Sequence, residues 1–287
     1  MALRLGSRTF RPGEHAVMAI VNRTPDSFYD GGTTFALDAA LERIATAVDD
    51  GADIIDIGGV RAGYGENISV SQELDRTAEL VTQVRAAYPD LVVSVDTWRA
   101  EVAEELCRRG ADLLNDPWAG ADPELASVAA RHGTGLVCSH TGGLPPRTDP
   151  HRVAYDDVVA AVVAATGELA DRAVAHGVRA DGIVIDPTHD FGKNTYHSLE
   201  LTRRLDELVA SGWPVLVALS NKDFVGETLD LPAHERLSGT LAAVAVSAWQ
   251  GARLFRAHQV RETRQVLDMV ASIRGSRPPS VARRGLA

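Results

Sequence analysis

Residues 91–116, LVVSVDTWRAEVAEELCRRGADLLND, hold one complete strand–helix–strand unit. LVVSV (91–95) is β-branched and apolar with little alternation, which suits a strand covered on both faces. It closes on Asp96, and a helix-like stretch follows over 99–109. Gly110 stands just past that stretch, where a left-handed cap favours glycine. DLLN (112–115) then opens the next strand, which closes on Asn115.

The same unit recurs outward in both directions. AVMAIV (16–21), DIIDI (53–57), GLVCS (135–139), GIVI (182–185), PVLVAL (214–219) and ARLF (252–255) read as further strands. They close on Asn22, Asp56, His140, Asp186, Lys222 and the Arg256/His258 pair. Helical spacing of apolar residues predicts helices over 36–50, 71–88, 123–132, 155–176, 196–211 and 260–273, and over 223–250 with a division in the Gly226–Pro232 region. Eight such units close a parallel (β/α)8 barrel, and the carboxyl ends of its strands form the active face. An open doubly wound sheet is the alternative, but it gathers ligands at one switch point and has no need of polar residues at all eight strand ends. The reading is of one α/β TIM-barrel domain over residues 1–287, with 1–15 as an extended lead-in and 275–287 as a loose Pro/Arg-rich tail.

Composition bounds the function. The chain has 287 residues, 45% hydrophobic and 24% charged, the balance of a soluble globular enzyme. A formal net charge of −10 disfavours a nucleic-acid partner. No apolar stretch reaches the roughly 18 residues of a membrane span, and MALRLGSRTF lacks the core of a signal peptide. Cys107 and Cys138 fit no metal or redox spacing and read as buried thiols in a reducing cytoplasm.

Several segments together carry a resemblance. MAIVNRTPDSFYDGG (18–32), SVDT (94–97), ND (115–116), DPTHDFGK (186–193), LSNK (219–222) and FRAHQV (255–260) resemble dihydropteroate synthase, over residues 16 to about 273. That family is a (β/α)8 barrel that joins a dihydropterin pyrophosphate to para-aminobenzoate. The resemblance implies a pterin pocket made by Asp96, Asn115, Asp186, Lys222 and Arg256. Carboxylates and an amide carbonyl are the acceptors that the donor-rich edge of a pterin needs. It implies pyrophosphate contacts from Asn22, Arg256 and His258, with Mg2+ accompanying the leaving group near Asn22. It also implies catalytic roles for Asp96, Asp186 and Lys222, a small-molecule pterin phosphate as partner, and a homodimer.

The departures fall on one side of the pocket. Where the family reads GGESTRPG, this chain reads GGVRAGYG (58–65), and SRKS becomes SNKD (220–223). DPGFGFGK becomes DPTHDFGK (186–193). Arg23, Phe28, Arg61, Tyr64, His189 and Asp223 are therefore expected to shape a rebuilt second-substrate side. Asp223 is expected to place its carboxylate at the start of the following helix, where it would repel a second carboxylate about 4 Å away by ~4 kcal/mol. Arg23 or Arg61 would restore positive charge if either enters the mouth. The pattern resembles the divergent second bacterial paralogue of the family, which lacks the standard activity. An active synthase, a non-catalytic binder and a methyltetrahydrofolate-type pterin domain stay open as alternatives.

Overall fold

A computed structural model describes residues 1–24, 35–61, 63, 65, 67–148 and 153–284. A two-stranded hairpin, β1 (Leu3–Leu5) with β2 (Arg8–Phe10), precedes the eight strand–helix units. These run β3 (Ala16–Asn22), α1 (Leu37–Asp49), β4 (Ile54–Gly58), α2 (Val70–Ala87), β5 (Val92–Asp96), α3 (Ala100–Arg108), β6 (Leu113–Asp116), α4 (Leu125–His132) and β7 (Gly135–Ser139). They continue with α5 (Val158–Ala175), β8 (Ile183–Asp186), α6 (Thr195–Arg203), α7 (Leu205–Val209), β9 (Leu216–Ala218), α8 (Asp223–Leu229), α9 (Leu237–Gln250), β10 (Leu254–Ala257) and α10 (Val260–Ile273). The eight parallel strands pair in the order β8-β7-β6-β5-β4-β3-β10-β9. Between β8 and β9 the barrel closes on one bridge, Ile185 to Val215, beside an Ile185 N–H bond to the Pro214 carbonyl at 2.9 Å. The (β/α)8 barrel predicted from the run of strand ends is the architecture found.

Side-chain parity along each strand decides what faces where. Val17, Ile55, Val93, Leu114, Ile185 and Phe255 point outward and join the helices in one large buried core. Their neighbours Ile54, Val92, Leu113, Val184, Leu216 and Leu254 point inward and form a second, separate cluster. Leu3, Leu5 and Phe10 of the hairpin belong to that inner cluster, and the two leucines have no exposed surface. Burying each contributes roughly 2 kcal/mol by area. The hairpin thereby stops the amino-terminal end of the barrel, opposite the carboxyl-terminal mouth.

Two predicted helices are divided, each for a local reason. The stretch 196–211 breaks at Arg204 (φ −110°, ψ 30°) into α6 and α7. The stretch 223–250 stops at Asp230 in the left-handed conformation (φ +54°), and Pro232 follows, so α9 begins only at Leu237. Among the described residues no helix is long and apolar enough to cross a membrane. Cys107 and Cys138 are unpaired and buried, and burial pushes both thiols up to about 12.

Candidate functional site

The inward parity that makes the apolar floor continues toward the mouth and there turns polar. Two residues beyond Ile54, Val92, Leu113, Val184 and Leu254 stand Asp56, Ser94, Asn115, Asp186 and Arg256. One row further up, the strand register sets Asn22 beside Gly58, Gly58 beside Asp96, and Asp96 beside Asn115. A Cβ on Gly58 would crowd Asn22 Oδ1 at 3.0 Å and touch Asp96 Cβ at 3.5 Å, so the glycine leaves room for both side chains.

A buried network ties the floor of the mouth together. Asp56, with no exposed surface, accepts hydrogen bonds from Ser94 Oγ (2.6 Å), Asn115 Nδ2 (3.1 Å) and Arg256 Nε (2.6 Å). Arg256 Nη2 donates to Asp96 at 2.7 Å. Burial pulls the guanidinium pKa down, but the charges of Asp56 and Asp96 overcome it and hold it above the usual value. Burial pushes Asp96 up to about 7; Arg256 works against this, and Asp56, Glu73 and Asp116 add to it. Asp186 is also raised by burial, opposed by Lys222, by a hydrogen bond from the Thr188 N–H (2.7 Å) and by Lys193. Asp96 is thus an acceptor that titrates near neutral pH.

Above this floor lies a cavity of about 780 Å³, lined by Asn22, Asp96, Lys222, Arg256 and His258, with Trp118 and Phe191 also on its wall. Asn115 and Asp186, expected in the same pocket, are buried and are not among the residues that line it. Lys222 Nζ donates to the His189 carbonyl and stands 4.8 Å from the Phe191 ring centroid, a cation–π contact. Burial lowers its pKa, and Asp190 and Asp186 work in the opposite direction. Lys193, 2% exposed, gives its ammonium to the carbonyls of His140 (2.8 Å), Phe191 (2.8 Å) and Thr188 (3.2 Å). It fastens the loop after β8 to the end of β7.

The altered side differs from the sequence expectation at three positions. His189 does not line the cavity. It is wholly buried, stacked on Phe224 at 5.7 Å with Nε2 against Thr202 Oγ1, and Phe191 takes the place on the wall. Arg23 does not enter the mouth either: its guanidinium donates to the Phe35 and Arg76 carbonyls and fastens the first loop to α2. Arg61 does reach the cavity. Asp223 lines the rim but does not cap α8; its carboxylate is exposed and paired with Arg236 at 2.8 Å. The cap comes from another loop, where Asp190 accepts from the N–H groups of Asp223 (2.7 Å) and Phe224 (3.4 Å). Phe28 and Tyr64 lie outside the described residues. His140 is buried away from the cavity lining, and burial drops its pKa to about 3.

Four contributors have no role implied by the resemblance: Asp56 and Trp118, which lie outside its motifs, and Phe191 and Lys193, which lie within DPTHDFGK (186–193). Asp56 was legible as a carboxylate at an inward position inside the apolar run DIIDI. The other three lie in loops, where no periodicity indicates direction.

Comparison with known proteins agrees with the geometry. The family described as pterin binding enzyme matches residues 18–258. A Mycobacterium leprae protein named "Inactive dihydropteroate synthase 2" is 56% identical, covering 100% of both chains. The dihydropteroate synthase of Bacillus subtilis is 37% identical, over 88% of this chain and 87% of its own. Among solved structures, a Yersinia pestis dihydropteroate synthase in complex with a sulfonamide drug superposes with a TM-score of 0.90 at 34% identity, covering 96% of this chain and 100% of that one. The chain belongs to the pterin-binding enzyme family.

Proposed function

We propose that this chain binds a dihydropterin phosphate at the barrel mouth, and that its turnover of the pyrophosphate ester with para-aminobenzoate is weak or absent. The observation that carries the reading is the linked floor: Asp56 gathers Ser94, Asn115 and Arg256, and Arg256 also holds Asp96. Asp96, Asn115 and Asp186 supply acceptors for the amino-pyrimidinone edge, with Lys222 beside the ring. Arg256 serves the ring face, and with Asn22 and His258 it serves the phosphates. In any residual transfer, Asp96, Asp186 and Lys222 are the groups at the pterin, and the two carboxylates would stabilise positive charge developing there. The M. leprae relative's name fits the weak-turnover half of the reading.

The donor set fits Mg2+ in a limited way. Among the described residues no group of three or more His, Cys, Asp or Glu side chains is placed to hold a metal. Asn22, a hard oxygen donor on the cavity wall, suits an ion that arrives on substrate phosphates and keeps most of its waters. Bound there, the metal would neutralise the leaving pyrophosphate, while Asn22 and His258 orient it.

A second copy of the chain is proposed to dock on the outer face of α9 and α10. Val246, Trp249, Met269 and Ile273 are 46%, 56%, 61% and 60% exposed. The Arg274 guanidinium, 5.8 Å from the Trp249 ring centroid, joins the two helices into one patch. Two unpaired thiols suit the cytoplasm as the compartment.

The deciding experiment pairs calorimetry with pterin monophosphate and a turnover assay with dihydropterin pyrophosphate and para-aminobenzoate. Binding heat with turnover far below an active synthase run alongside is expected. Full turnover, or no heat from folded protein, would each sink the reading.

A further inference from the structure

We infer that Asp190 is a built-in anion that sets the end of the cavity beside α8 to take an uncharged or cationic partner and to reject a carboxylate. The inference rests on the pterin occupying the floor, and it concerns what stands next to it.

Asp190 is held from several directions. Its Oδ2 accepts from the Asp223 and Phe224 amides, and its Oδ1 accepts from Ser198 Oγ at 3.0 Å. Its own N–H donates to the same Ser198 oxygen at 3.1 Å, and Ser198 has no exposed surface. The backbone sits at φ +70°, a conformation that an L-residue keeps only when its surroundings overdetermine it. The amides at the start of α8 are therefore satisfied from within the chain and are not offered to a ligand.

The surrounding charges point the same way. Asp223 and Glu227 line the cavity with Asp190, putting three carboxylates at this end. The amine of Lys222 is bonded to the His189 carbonyl. Arg61 enters from the loop after β4, three strands around the barrel from β9. What faces a partner here is an aromatic wall, Phe191 edge-on to Trp118 with centroids 5.6 Å apart. Trp118 lines the cavity, is 2% exposed, and has an indole N–H with no acceptor among the described residues. Such a wall suits a planar ring bearing a neutral carbonyl or an amine. A carboxylate would be desolvated there beside three carboxylates, with the amides at the start of α8 already taken by Asp190 and the nearest cation, Lys222, already bonded to the His189 carbonyl.

The test compares two isosteric probes, para-aminobenzamide and para-aminobenzoate, each titrated into the protein with and without pterin monophosphate. The wild type is expected to bind the amide at least about tenfold tighter than the acid. Asp190→Asn is expected to narrow that preference to within about threefold. Asp190→Gly, which suits the positive φ, gives a second variant, and thermal melting checks that each is folded. Equal binding of the two probes by wild type, tighter binding of the acid, a preference untouched in both variants, or no binding of either probe would overturn the inference. Pterin monophosphate titrated alone separates the two readings. A silent pterin titration with the probe preference intact removes the proposed function but not the role of Asp190. Pterin binding without a probe preference removes the role of Asp190 alone.

Discussion

Arg256 Nε donates to Asp56 Oδ2 across 2.6 Å, joining the last barrel strand to the second at the centre of the mouth. Asp56 has no exposed surface, so this cation decides whether the strand can carry a carboxylate at all. Arg256→Met removes the partner and leaves the charge behind. A loss of about 3 kcal/mol is expected, read as a lower midpoint in urea. Adding Asp56→Asn should recover much of it, because the uncompensated charge goes too. A single-variant loss within error of zero would show that the pair does not support the fold.

The pH dependence follows from Asp96. Its pKa in the fold, about 7, stands above the ordinary 3.8 because burial penalises the charge. The folded state binds this proton more tightly than the unfolded chain, so its contribution to stability is present below the ordinary value and is lost as pH rises through about 7. Binding runs the other way, because a pterin edge made of donors needs the ionised carboxylate. Affinity for an unphosphorylated hydroxymethyl-dihydropterin should rise about tenfold from pH 6 to pH 8. Asp96→Asn should bind weakly with a flat profile. An affinity that falls over this range would contradict the role given to Asp96.

Gly192 separates strain from collision. It sits at φ +62°, and a Cβ there would come 2.2 Å from the Thr141 carbonyl oxygen, a backbone atom that cannot yield cheaply. Gly192→Ala should cost on the order of 3 kcal/mol or more. Gly143 has φ +76° with nothing within 4 Å of the added atom, so Gly143→Ala should cost only about 1 kcal/mol. Urea unfolding of both variants checks the ordering, and equal losses would refute it.

The outer face of α9 and α10 predicts self-association. Trp249→Glu combined with Met269→Glu should convert a dimer to a monomer in sedimentation velocity while leaving pterin binding in place. A wild type already monomeric at high concentration would exclude this face as the contact.

Much of the mouth is legible in the order of residues alone. Asn22, Asp96, Lys222, Arg256 and His258 each follow an apolar run, and all five line the cavity. A strand end has a defined direction, so a residue type at that position carries geometric information. Loops have no such period. Arg23 and Arg61 were equal candidates for the mouth, yet one is bonded to the Phe35 and Arg76 carbonyls and the other lines the cavity.

The sequence by itself determined the barrel, its eight strand ends and the split between an acceptor-rich floor and an altered rim. Strand and helix periods are local properties that survive without knowing the neighbours. Only the tertiary structure decided that Asp190, and not the adjacent Asp223, occupies the amides of α8. That bond spans 33 residues, and which of two aspartates makes it depends on Ser198 bracketing one and Arg236 drawing away the other. Competition of that kind is settled by packing in three dimensions, which residue order does not encode at short range.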